Sequence, residues 1–282
     1  FALSLGSALP SVAIAKVETY NNPVLFADYS DPDVIRVGRY YYLVASSFHL
    51  SPGLPVLRSP DLVNWEIVSH ILPRLNFAAE YDMVPPFGLT DAISKPLYGT
   101  RYGSGVWAPS LRYHNKLFYA YWATPDEGVF VSTAARAEGP WSAPVQVIAK
   151  PGLEDPCPIW DDDGTAWLIH SRVGAGPLIL HRMSADGMSV LDEGELIVED
   201  HKNLPVLEGP KFYKRGGYYY IFAPIGSVEK GPQVVMRSRN IRGPYEWRVV
   251  LEQGDTKLQG PHQGGYVETS SGEGWFMHFN ST

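Results

Sequence analysis

Residues 31–44 read Asp31-Pro32-Asp33-Val34-Ile35-Arg36-Val37-Gly38-Arg39-Tyr40-Tyr41-Tyr42-Leu43-Val44. An acid and a proline run into a short apolar strand, a glycine marks a tight turn, and an aromatic strand returns. Rich β-branched and aromatic content on both sides of a two-residue turn is hairpin chemistry. The unit recurs. Pro109-Ser110-Leu111 leads to Leu117-Phe118-Tyr119, and Pro156-Cys157-Pro158-Ile159-Trp160 to Ala166-Trp167-Leu168-Ile169. Pro210-Lys211-Phe212-Tyr213 leads to Tyr218-Tyr219-Tyr220-Ile221, and His262, after Pro261, opens a fifth copy that reaches Trp275-Phe276-Met277.

The corner prolines 32, 109, 156 and 210 are separated by 77, 47 and 54 residues, and His262 follows 52 later. Such spacings suit propeller blades, whose repeats run to roughly 40–50 residues. The long first interval carries an irregular Pro/Gly-rich insertion over residues 70–106. Each unit also holds a second hairpin half, such as Val56-Leu57-Arg58-Ser59 ending at Trp65, or Val234-Val235-Met236-Arg237-Ser238 ending at Trp247. That makes about four strands per blade, with helical periodicity absent. The expectation is an all-β, five-bladed β-propeller over residues 21–282. Its fifth blade is incomplete, because only Asn280, Ser281 and Thr282 follow Phe279.

Composition narrows the function classes. Net charge is −7, which disfavours nucleic acid as a partner. Tyr (17) and Trp (8) suit both strands and sugar-stacking surfaces. The single cysteine, Cys157, excludes a disulfide framework and reads as a small buried hydrophobe. Residues 1–15 (FALSLGSALPSVAIA) resemble a signal-peptide remnant ending in Ala13-Ile14-Ala15, too short and interrupted to span a bilayer, so a secreted or periplasmic location without membrane association is expected. The Asp161-Asp162-Asp163-Gly164 run reads as a solvated hairpin tip.

Three corners carry an acid before the proline: Asp31, Asp155, and Glu208 with one glycine between. Inner strands of a propeller start around one rim of the central channel, so these acids should converge. Converging carboxyls fit hydrolysis of a glycosidic bond with inversion. One deprotonates a water and another protonates the leaving oxygen, the two standing roughly 6.5–9.5 Å apart. A third raises the acid's pKa by like-charge repulsion. His262 occupies the matching corner of the fifth unit. Trp107 holds the second corner, and Phe48, after Ser46-Ser47, ends the first inner strand; both could wall a sugar pocket.

Several motifs then occur in order: Asp31-Pro32-Asp33 after Asn22-Pro23-Val24-Leu25, Leu54-Pro55-Val56-Leu57-Arg58-Ser59 with Asp61-Leu62-Val63-Asn64-Trp65, Gly105-Val106-Trp107-Ala108-Pro109, Glu154-Asp155-Pro156, Glu208-Gly209-Pro210 and His262-Gln263-Gly264-Gly265. Together they resemble family-43 glycoside hydrolases over about residues 21–280. The resemblance implies an inverting, exo-acting β-xylosidase or α-L-arabinofuranosidase that releases xylose or arabinose from xylan- or arabinan-derived oligosaccharides. By motif match, Asp31 is the general base, Asp155 the pKa modulator and orienter, and Glu208 the general acid; Phe48, Trp107 and His262 match substrate-pocket positions. No cofactor is required, although the resemblance allows a central calcium or sodium ion near His262. The family's fifth blade usually continues and supplies an arginine, and many relatives add a β-sandwich; neither is in this sequence. Two other classes compete. A catalytically inactive carbohydrate-binding propeller need not keep all three acids, and a protein-interaction propeller predicts no convergent carboxylates. Sequence leaves the choice of sugar and the oligomeric state open.

Overall fold

The computed structural model describes residues 19–84, 98–174 and 176–280. The segment read as a signal remnant lies outside these residues, as does the middle of the insertion. Blade one is β1 (Asp33–Val37), β2 (Tyr40–Val44), β3 (Gly53–Ser59) and β4 (Glu66–Leu72). Blade two is β5 (Trp107–His114), β6 (Leu117–Thr124), β7 (Gly128–Ala134) and β8 (Val145–Ile148). Blade three is β9 (Leu153–Trp160), β10 (Ala166–Arg172), β11 (Leu178–Met183) and β12 (Glu195–Val198). Blade four is β13 (Lys211–Arg215), β14 (Tyr218–Pro224), β15 (Gln233–Ser238) and β16 (Glu246–Leu251), and blade five is β17 (Pro261–Glu268) with β18 (Gly274–Asn280). Each of the first four sheets has four strands in sequence order, and the fifth has two. The fold is the five-bladed all-β propeller, with a partial fifth blade. One short 3-10 helix, Ala79–Asp82, lies in the insertion, whose first residues, 70–72, belong to β4.

The strands are apolar on both faces because each blade packs between two others. Along β6, Phe118, Ala120 and Trp122 enter the core shared with blade one, while Tyr119, Tyr121 and Ala123 enter the core shared with blade three. Along β10, Ala166 and Leu168 face blade two, whereas Trp167 and Ile169 face blade four. Successive strand side chains point to opposite faces, so one strand serves two cores. This is why the sequence shows continuous apolar runs, as expected for sheets buried on both sides. The hairpin turns form where glycine permits. Gly216 and Gly217 take φ values of 57° and 75°, the two positive values a type I′ turn needs.

The ring closes where β1 lies beside both β5 and β17. Val34, Tyr41 and Val267 form the seam between blades one and five. Gly265 makes that approach possible, since a Cβ there would lie 2.6 Å from the Val34 amide nitrogen and 2.7 Å from Asp33 Oδ1. The hairpin tip at 161–164 departs from the sequence reading. Asp162 and Asp163 are exposed, but Asp161 is engaged by Lys214 and by the Tyr219 hydroxyl, because the tip folds against β13 and β14 of the next blade. Gly265→Ala is expected to destabilise the protein by about 1–3 kcal/mol through overpacking at the seam. A fall in thermal midpoint checks it, with Gly38→Ala, at a site with no atom within 4 Å, as the comparison for backbone strain alone.

Candidate active site

One backbone corner is repeated at the head of every inner strand. Asp31, Ala108, Asp155, Gly209 and Gln263 all have positive φ, at 52°, 27°, 58°, 58° and 30°. Four of the five are not glycine, and such conformations persist only where the surroundings enforce them. Counting from this corner corrects the sequence reading of the acids. Asp31 and Asp155 sit at the corner itself, but Glu208 sits one residue earlier, in register with Ser30, Trp107, Glu154 and His262. The glycine between Glu208 and its proline is the corner residue of blade four. Two carboxyls therefore come from one ring of positions and the third from the ring beside it.

The corner acids are held by short side-chain bonds. Ser46 Oγ donates to Asp31 Oδ2 at 2.5 Å while accepting the Ala108 amide at 2.7 Å, which ties blade one to blade two. Asp155 Oδ2 accepts the Ser171 hydroxyl and the Gly209 amide, both at 2.7 Å. The second bond fixes the peptide that follows Glu208, so Asp155 positions the loop bearing the third acid. Glu208 Oε1 lies 3.2 Å from His262 Nε2, with 18% of its side chain exposed. Phe48 does not end an inner strand. It follows β2 and pairs with Val106 through two backbone bonds of 2.9 Å, which bring it beside Trp107. Gly105 permits this contact, as a Cβ there would lie 1.8 Å from the Phe48 carbonyl oxygen. The half-buried Trp107 donates its indole N–H to Gly103 O at 2.6 Å.

Burial sets the proton affinities. Asp31 is raised to about 6, chiefly by desolvation; the Ser46 bond lowers it, the Asp155 charge raises it, and His262 and Lys211 lower it. Asp155 is also raised, first by burial and then by the Glu208 charge. The sequence reading passed over Glu154, which is 5% exposed. Burial and then the charges of Asp155, Glu208 and Asp31 push its carboxyl up to about 9. It therefore holds its proton near neutral pH, and it would be visible in sequence only as the pseudo-symmetry mate of Glu208. The sequence reading also missed Ser46, Ser171 and Lys211. Cys157 is buried as expected and accepts the Phe212 amide at 3.2 Å.

Among the described residues, no group of three or more His, Cys, Asp or Glu is arranged to hold a metal ion. His262 Nδ1 is buried without a hydrogen-bond partner, but it is a lone nitrogen, and Nε2 faces Glu208.

A propeller with buried carboxyls gathered at the strand heads agrees with what sequence comparison finds. Residues 20–282 match the sequence model of Glycosyl hydrolases family 43. The chain belongs to this family. It is 49% identical over 265 residues to a protein of Xylanibacter ruminicola named "Putative beta-xylosidase", covering 94% of this chain and 46% of the relative. A beta-xylosidase of Formosa agariphila is 34% identical over 308 residues, covering 96% and 49%. Among solved structures, the xylan beta-1,4-xylosidase of Bacillus halodurans superposes with a TM-score of 0.76 at 30% identity, over 92% of this chain and 50% of the other. The chain spans about half the length of the curated relatives it matches.

The raised Asp31 has a consequence for stability. Its unfolded value is 3.8 and its folded value about 6, so the folded state binds the proton more tightly, and stability falls as pH rises from about 4 to about 6. Asp31→Asn removes this cost. The variant is expected to melt above the native protein at pH 8, and the gain should shrink to nothing by pH 4. Thermal melts at both pH values check it.

Proposed function

We propose that this chain is the catalytic propeller of an inverting, exo-acting glycoside hydrolase that removes xylose or arabinose from xylan- or arabinan-derived oligosaccharides. The observation that carries the reading is the unlike environment of two neighbouring carboxyls. Asp31, bonded to Ser46, is anionic above about pH 6 and suits a base. Glu208, partly exposed beside His262, is placed where a leaving group can reach it. Asp31 takes a proton from water as the water oxygen bonds to the anomeric carbon. The glycosidic C–O bond breaks, and the leaving oxygen takes the proton of Glu208. Solvent then returns a proton to Glu208 and removes one from Asp31. Asp155 orients the Glu208 loop by accepting the Gly209 amide. Trp107 and Phe48 offer ring faces beside the channel mouth, and His262 steadies Glu208. No step runs through a metal.

The sugar preference is supported by the relatives. The three named above carry xylosidase names, one of them as putative, and a Bacteroides ovatus relative, 32% identical over 86% of this chain, is named a non-reducing end alpha-L-arabinofuranosidase. Among the described residues, no helix is long and apolar enough to cross a membrane. Export to the periplasm or medium is part of the proposal and rests on residues 1–15.

Chromogenic xyloside and arabinofuranoside substrates test the activity, with hydrolysis of at least one expected. Proton NMR of the first-formed sugar should show the inverted anomer, and a retained anomer would refute the mechanism. Glu208→Gln should lose most activity on substrates with poor leaving groups, on the order of a hundredfold or more, and much less on activated phenyl glycosides. Asp31→Asn should lose activity on both kinds alike, because a better leaving group does not activate water. Equal losses for Glu208→Gln on both kinds would remove it from the role of acid.

A further inference from the structure

Below the ring of corner residues, the next inward positions of the five inner strands are Asp33, Ser110, Cys157, Lys211 and Gly265, two residues beyond each corner. Strand side chains repeat every second residue, so this is the layer directly beneath the carboxyls. Asp33 is already paired. Its Oδ2 accepts Arg112 Nη1 at 2.6 Å and the Leu111 amide at 2.9 Å. The Arg112 guanidinium is further occupied by Cys157 Sγ at 2.7 Å and lies over the Tyr213 ring. Arg112 and Asp33 thus cancel each other. Lys211 is the remaining cation of the layer. It is fully buried, and its ammonium donates to Pro109 O at 2.7 Å and Ser110 Oγ at 3.0 Å across the channel on blade two.

Two neutral oxygens do not balance a buried charge, and burying an uncompensated ammonium is costly. The compensation stands one layer above, where Asp31 and Asp155 converge. We propose that Lys211 is the fixed counter-charge of the carboxyl cluster: a positioning residue whose ammonium, anchored to blade two, keeps Asp31 ionised and able to accept a proton from water. The groups facing Asp31 are consistent with this. Asp155 and Glu154 face it from β9 and Glu208 from the loop before β13, while His262 faces it from β17. The first three are acids; the Ser46 hydrogen bond on its own blade lowers its proton affinity most, and His262 and Lys211 are the cationic or ionisable groups that lower it further. The same ammonium lowers Asp155.

A lysine that merely ties two blades together would act through its bonds to Pro109 and Ser110. The charge makes a different prediction. In Lys211→Met, the acidic limb of the kcat/KM profile should move up by about one pH unit, so that activity relative to the native protein falls about tenfold further at pH 5 than at pH 8. Ser110→Ala, which removes one tie and keeps the ammonium, should leave the limb in place. A folded Lys211→Met with an unmoved limb overturns the proposal. This part rests on the proposed function, and loss of the parent activity on both chromogenic sugars would show that reading, not this one, to be at fault.

A second readout needs no substrate. Without Lys211 the buried carboxyls are harder to ionise, so the melting-temperature gap between native protein and Lys211→Met should be wider at pH 8 than at pH 5. An equal gap at both pH values assigns Lys211 a structural role only and overturns the proposal. If Lys211→Met does not fold at either pH, Lys211→Gln, which retains a donor for Pro109 O, is read in its place.

Discussion

The inner strands enter the channel through a left-handed backbone corner, and the geometry of the site depends on it. At an ordinary extended corner, the residue before the proline would continue the alternation of the strand and turn aside. The positive φ at Asp31 and Asp155 breaks that alternation at the strand head, where a side chain can be directed toward the axis. Holding a non-glycine residue there costs on the order of 1 kcal/mol or more per site. The neighbouring blades supply the restraint: Ser46 joins Asp31 to the Ala108 corner, and Asp155 binds the Gly209 corner. These corners are held by neighbouring blades, so the acids are positioned by the packing of blade on blade.

Charge is the second constraint. Four carboxyls, Asp31, Glu154, Asp155 and Glu208, crowd one end of the channel. The structure reduces the conflict in three ways. Glu154 keeps its proton, Asp33 is cancelled by Arg112, and Lys211 stands beneath the remaining acids. What is left is Asp31, raised to about 6, Asp155, raised by burial and by the Glu208 charge, and a Glu208 with access to solvent. Carboxyls of the same chemistry thereby stand in unlike environments.

Much of this was legible in the sequence. The repeat of proline corners and aromatic strands announced five blades, because turn chemistry and strand propensity are local. Asp31, Asp155 and Glu208 were legible for the same reason, each being marked by its proline. The exact register was not. Gly209 looks like a spacer in Glu208-Gly209-Pro210, and only the backbone shows it to be the corner, which moves Glu208 into line with Trp107 and His262. Phe48 was misplaced because no local signal marks the end of β2, which ends at Val44, and Phe48 pairs with Val106, a partner 58 residues away. Ser46, Ser171 and Lys211 carry no local mark at all. Their importance comes from partners on other blades, and Lys211 reaches Pro109 across 102 residues of chain.

The division of β6 and β10 between two cores bears on how such a protein is assembled. No blade owns an interior, so none has enough buried surface to be a folding unit, and its neighbours complete it on both sides. A linear array of repeats can fray from its ends or nucleate anywhere, but a closed ring gains its last interface only when the first and final blades meet. Cooperativity is then a property of the circle. The rim of strand heads inherits it, since each head is tied to the blades on both sides. The connecting loops outside that circumference are free to vary without touching the ring that holds the strand heads.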